Sequence, residues 1–157
     1  MYYSQTGNTK QLAEVIAEGV KEIDGVECVL KPISEVTRDD LLAADGIIAG
    51  TPVYFGTMAA QLKMIFENSM DICGQMCGKI GAAFVTGAHH SDGKETTILS
   101  IIQAFLIYGM IVVGNSMDAS GHYGVACMDT PDVKAAKDAV KLGRRVALLV
   151  KTLNQKL

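Results

Sequence analysis

The chain has 157 residues, of which 49% are hydrophobic and 20% charged, and its formal net charge is -3. That is one domain's worth of chain with ample apolar material for a core, which excludes both a disordered protein and a multi-domain machine. A mildly acidic balance with no basic run excludes an electrostatic nucleic-acid binder, and only 3 prolines argue against long linkers.

The opening Met1-Tyr2-Tyr3-Ser4 has no basic or apolar leader, so no secretory signal is expected. Leu12, Val15, Ile16, Gly19, Val20 and Ile23 recur at helical spacing, which predicts an amphipathic helix from about Asn8 to Ile23. Val26 to Leu30, broken at Pro32, reads as a strand. Ile47, Ile48 and Ala49, bounded by Gly46, Gly50 and Pro52, read as a second, buried strand. Leu62, Ile65, Phe66 and Met70 predict a helix over Ala59–Met70, and Ile80–Val85 is a strand between Gly78 and Gly87. The uncharged stretch from Thr96 to Met117 is long enough to span a membrane. Gly109 nevertheless divides it into a helix, Glu95–Tyr108, and a strand, Met110–Val113. A last helix runs from Asp132 to about Lys151 with its seam at Val133, Ala136, Val140, Gly143, Ala147 and Val150. The helix before Gly109 is apolar almost all round, which points to a subunit interface on its second side. Cys28, Cys73, Cys77 and Cys127 form no disulfide framework, and a reducing, cytoplasmic setting is expected.

Strict alternation of helices with apolar strands predicts an α/β domain over residues 1–157, with a doubly wound parallel sheet covered on both faces. Ligands of such sheets sit beyond the carboxyl ends of the strands, so chemistry belongs to the loops that follow them. The first is Ser4-Gln5-Thr6-Gly7-Asn8-Thr9, directly before the first helix. Its three hydroxyls, its glycine and the unpaired N–H groups of a helix start suit a phosphate held without Arg or Lys. Ser, Thr and Asn are also ordinary N-caps, and a plain cap is the alternative. No G-x-x-x-x-G-K-[ST] and no G-x-G-x-x-G is present, and the loop lacks the Cys and Arg of a thiol phosphatase. His89, His90 and His122 do not have the spacing of a zinc site, and the cysteines are too few and too scattered for an iron–sulfur cluster, so no metal is expected.

Tyr2-Tyr3-Ser4-Gln5-Thr6-Gly7-Asn8-Thr9 resembles the FMN phosphate motif of the flavodoxin-like family. Gly50-Thr51-Pro52-Val53-Tyr54-Phe55-Gly56-Thr57 and Thr86-Gly87-Ala88-His89-His90-Ser91-Asp92-Gly93 resemble its two flavin-ring loops. Gly93-Lys94-Glu95-Thr96-Thr97 is similar to a segment of WrbA-type NAD(P)H:quinone oxidoreductases. The resemblance implies a flavodoxin-like, five-stranded sheet of order 2-1-3-4-5, here with a first strand cut to a stub. It implies FMN as cofactor and NAD(P)H as co-substrate, with Ser4–Thr9 on the phosphate and Thr51, Pro52, Val53, Tyr54, Phe55, Gly56, Thr86, Gly87, Ala88, His89 and Gly93 around the ring. The implied activity carries electrons from NAD(P)H through the flavin to a quinone or similar small acceptor. An electron carrier serving a redox protein and a flavin-free interaction domain are the alternatives. His122 and Tyr123, expected in the loop after the last strand, are the candidate catalytic pair, with His122 as proton donor. The expected assembly is a homo-oligomer, dimer or tetramer, acting on neither nucleic acid nor membrane.

Overall fold

The computed structural model describes residues 1–155. Helix α1 spans Asn8–Lys21, α2 Arg38–Ala43, α3 Ala60–Asn68, α4 Lys94–Ile107 and α5 Val133–Asn154. The strands are β1 Gly46–Tyr54, β2 Thr57–Met58, β3 Ile80–Gly87, β4 Ile111–Val112 and β5 Val125–Met128. β1 and β3 pair in parallel from Gly46↔Ile80 to Pro52↔Thr86. β4 and β5 both lie parallel to β3 on its other side, first at Ile80–Gly81 and then at Phe84–Gly87. They form one edge strand interrupted by residues 113–124. Alternation along β3 sends Ile80, Ala82 and Phe84 into a core shared with α1 and α5, and Ala83 and Val85 into a core shared with α3 and α4. Helices thus cover both faces, as expected of a doubly wound sheet. Among the described residues no helix is long and apolar enough to cross a membrane.

Several expectations need correction. Val26–Leu30 carries no strand pairing, because the first strand that should lie beside it is reduced to Tyr2, bridged in parallel to Pro32 and to Gly50. Those two bridges still place Tyr2 between the Pro32 segment and β1, as the order 2-1-3 requires. The second strand runs on past Ala49 to Tyr54 and turns back as β2. Helix α2 was not foreseen, although Thr37 and Asp40 close a capping box around its start. On α5 the buried face is Ala135, Asp138, Ala139, Leu142, Gly143, Val146, Ala147 and Val150, while Val133 is exposed. The predicted seam therefore holds only over its second half. Asp138 tolerates burial because it accepts hydrogen bonds from the Ser120 N–H, at 3.1 Å, and from the Ser120 hydroxyl.

The Met1 ammonium donates to the Ile48 carbonyl at 2.8 Å. The nitrogen is enclosed although the residue is half-buried, and burial lowers its pKa from 8.0 to about 6, with Cys28 pulling the other way. Between pH 6 and 8 the unfolded chain therefore holds a proton that the folded chain releases. Stability is expected to fall as pH drops through that window, by on the order of 2 kcal/mol, and to lose nothing more from this group below it. Urea midpoints at pH 8, 7 and 6 measure the loss, and acetylation of Met1 should remove it.

Candidate functional site

The three loops singled out by sequence converge at the carboxyl ends of β1 and β3. Gly7 caps α1 in a left-handed conformation, φ 99°, with no side chain bonded across the helix start. Its own N–H donates to Ser4 Oγ at 3.1 Å, and its carbonyl accepts from the Gln11 N–H. That leaves the first-turn N–H groups of α1 without a side-chain cap, and a Cβ built on Gly7 would meet nothing within 4 Å. The positive end of a 14-residue helix with no side-chain cap is a place where a small anion can be held. The alternative of a plain side-chain cap at α1 is not what the chain adopts.

Direct bonds tie this loop to the other two. Thr9 and Thr86 share a buried hydroxyl–hydroxyl hydrogen bond of 2.7 Å between α1 and the end of β3. Tyr54, at the end of β1, donates its hydroxyl to Gln5 Oε1 at 2.5 Å, and its ring meets Tyr3 edge-on at 6.2 Å between centroids. Burial, then the neighbouring Tyr3, pushes the Tyr54 phenol above its ordinary pKa, so it remains a donor.

The Thr51–Thr57 loop is a tight hairpin. Thr51, fully buried, donates to the Pro52 carbonyl at 3.0 Å and accepts from the Ala59 N–H at 3.1 Å. Val53 pairs with Met58, and Phe55 and Gly56 both take positive φ, 52° and 75°, as a two-residue reversal requires. Phe55 consequently stands fully exposed at the tip instead of lining a wall. Gly56 packs on Gly93, where a Cβ would sit 2.8 Å from the Gly56 Cα. Thr96 locks the junction by donating to the Gly56 carbonyl, 2.6 Å, and the Gly93 carbonyl, 2.9 Å.

The Thr86–Gly93 loop is organised around a pair that sequence reasoning overlooked. Asp92 accepts from the His89 N–H at 3.0 Å and from Lys94 Nζ at 2.8 Å, and Lys94 also donates to the His89 and His90 carbonyls. Burial pushes the Asp92 carboxyl up, but Lys94 and the N–H groups of His89 and Ala88 outweigh it and hold the group below its ordinary range. The Asp92 carboxylate occupies the space where a Gly87 side chain would stand. Ala88 and His89 thus spend their N–H groups inside the loop, and the loop contributes shape more than donors. The signal was the charged pair flanking Gly93, two residues apart.

His122 and Tyr123 are not brought to this edge. They lie in the interruption between β4 and β5, so they precede the end of the last strand instead of following it. A Cβ on the adjacent Gly124 would press on the Ala83 carbonyl. Ala83 is four residues, or about 13 Å, below the Gly87 end of β3. Both side chains are exposed, and the loop is fastened by Asn115, whose N–H donates to the His122 carbonyl at 3.0 Å and whose amide donates to the Gly124 carbonyl at 2.9 Å.

Comparison with known proteins follows the same lines. A family model described as NADPH-dependent FMN reductase matches residues 3–123. The chain is 35% identical to a protein named flavodoxin from Aquifex aeolicus, over 94% of this chain and 83% of that protein. It is 33% identical to a protein named NAD(P)H dehydrogenase (quinone) from Syntrophobacter fumaroxidans, over 73% of this chain and 69% of that one. The crystal structure of the flavodoxin, WrbA-like protein from Agrobacterium tumefaciens superposes with a TM-score of 0.81 at 24% identity, covering 96% of this chain and 94% of that one. At that identity it shows the fold.

Proposed function

The chain belongs to the NADPH-dependent FMN reductase family, within the flavodoxin-like proteins, and from that premise we propose that it is an FMN-dependent oxidoreductase. NAD(P)H is the electron source and a quinone or similar small molecule the acceptor. The observation that carries the cofactor is the uncapped start of α1, whose donors match a doubly charged phosphate ester.

In this arrangement the first-turn N–H groups of α1, with the hydroxyls of Ser4 and Thr6, hold the phosphate. Gln5, fastened by Tyr54, closes one side of the loop. The hairpin at Thr51–Gly56 and the Asp92-centred loop form two walls, locked to each other through Gly56, Gly93 and Thr96. FMN supplies reversible two-electron chemistry when bound, and the protein's part is to hold it in place and shield it from water. Since His122 and Tyr123 lie low on the sheet edge, the position they suit is the acceptor side of a flavin in a neighbouring subunit of a homo-oligomer. The outer face of α4, with Leu99, Leu106 and Ile107 exposed, offers the apolar contact for such an assembly. The four free cysteines accord with action in the cytoplasm.

The second reading is an electron carrier, favoured by the greater coverage of the flavodoxin relative. Titration with FMN followed by NADH and NADPH oxidation, with and without benzoquinone, separates the two. Acceptor-dependent turnover is expected. Flavin that binds without turnover identifies the carrier, and a protein that leaves FMN fluorescence unchanged overturns both.

A further inference from the structure

Charge is spread unevenly over the chain. Helix α5 carries Lys134, Lys137, Lys141, Arg144, Arg145 and Lys151 against one acid, Asp138, which is buried. The rest of the chain holds 8 Lys or Arg and 16 Asp or Glu. At 3.6 residues per turn, Lys134, Lys137, Lys141, Arg144, Arg145 and Leu148 fall within an arc of about 100° and run for about 21 Å along the axis. Lys141 is half-buried and the other five are exposed. Asp118 pairs with Lys141 at 2.9 Å, and Glu22 with Arg144 at 2.8 Å. Among the described residues Lys134, Lys137 and Arg145 form no ion pair. Beside Lys141 a shallow hollow of about 450 Å³ opens between α5 and the segment Ser116–Asp118, with Leu148 and Leu149 inside it. The other end of the stripe adjoins the candidate site, since Met128 pairs with Gly87 at the end of β3 and α5 begins five residues later at Val133.

We infer that this face of α5 is a docking surface for a partner protein that presents an acidic segment carrying apolar side chains. Its carboxylates meet Lys134, Lys137 and Arg145, and an apolar side chain enters the hollow at Leu148 and Leu149. An apolar centre within a charged rim is the anatomy of a protein interface. The acidic remainder of the chain repels the same partner, which steers it to α5. Glu22 and Asp118, set among the cations, favour a protein over a phosphate polymer or an anionic bilayer. Uniform negative charge would meet those carboxylates, whereas a protein can set a Lys or Arg against them. A partner seated here stands at the rim of the Thr86–Gly93 loop, yet its docking needs no FMN.

The test titrates the chain with an acetylated peptide, Asp-Glu-Asp-Leu-Phe-Asp-Glu-Asp, and follows backbone amide NMR shifts and peptide anisotropy. Shift changes are expected to cluster in Ser116–Asp118 and on the outer face of α5, with Kd on the order of 10 μM at about 50 mM salt and about 10-fold weaker at about 300 mM. Arg145→Glu should weaken binding by about 10-fold, and Lys63→Glu, on α3 across the sheet, by less than about twofold. Replacing the Leu and Phe of the peptide by Ser should cost about 10-fold at constant charge. Equal losses for Arg145→Glu and Lys63→Glu, shifts scattered over the chain, or no binding at about 1 mM peptide would each overturn the inference. So would tighter binding to a DNA duplex or to phosphatidylserine vesicles than to the peptide, which would make the stripe a reader of phosphate.

Discussion

Thr6→Asp is expected to weaken FMN binding by about 100-fold while leaving riboflavin affinity within a few-fold of its starting value. Thr6 is exposed in the loop that precedes the uncapped start of α1, so the substitution disturbs no packing and stability should change by less than about 0.5 kcal/mol. A carboxylate there faces the same N–H groups as the phosphate, repelling the ester and competing for its donors. Two charges a few ångströms apart at a partly exposed site interact by several kcal/mol before screening, and 100-fold corresponds to about 2.7 kcal/mol. Riboflavin lacks the phosphate and feels none of this. Paired fluorescence titrations at low and high salt give the answer, with the defect shrinking as salt rises. Equal losses for both flavins would show that the loop does not hold the phosphate.

Gly143→Ala is expected to destabilise the chain by on the order of 3 kcal/mol or more. In an isolated helix the same change is favourable by about 1 kcal/mol. Here α5 crosses α1 at a contact made by backbone: a Cβ on Gly143 would lie 2.1 Å from the Ile16 carbonyl oxygen, and the reciprocal Gly19 would clash with the Val140 carbonyl. No side chain can rotate aside, so the helices must separate and expose Leu12, Leu142 and Val146, which pack beneath the crossing. Urea and thermal unfolding should show Tm lower by roughly 6–12 °C, with Lys137→Ala, on the exposed face of the same helix, as the neutral control.

These two positions also show what the sequence made legible. Gly7 and its polar neighbours announced the start of α1 because the signals are local: a turn residue, polar side chains and a following period of 3.6. Gly143 was assigned to the α5 seam, but its direct backbone contact with α1 depends on a crossing that no single segment encodes. The misplacement of His122 and Tyr123 has the same origin. Gly114, Gly121 and Gly124 look like the end of a strand, yet β5 resumes after them because the free edge of β3 at Phe84–Gly87 still offers a partner. Val26–Leu30 failed for the complementary reason: its apolar pattern is right, but a strand needs a neighbour, and among the described residues none pairs with it, since Tyr2 bridges to Pro32 just beyond. The Asp92–Lys94 pair escaped notice since nothing in composition says that a loop carboxylate will gather its own backbone.

The hydroxyl contact between Thr9 and Thr86 has one more effect. It fixes the head of α1 directly against the end of the central strand, so that the loop before the helix and the loop after the strand share one anchor. Any shift of one loop is therefore passed to the other through that pair of hydroxyls.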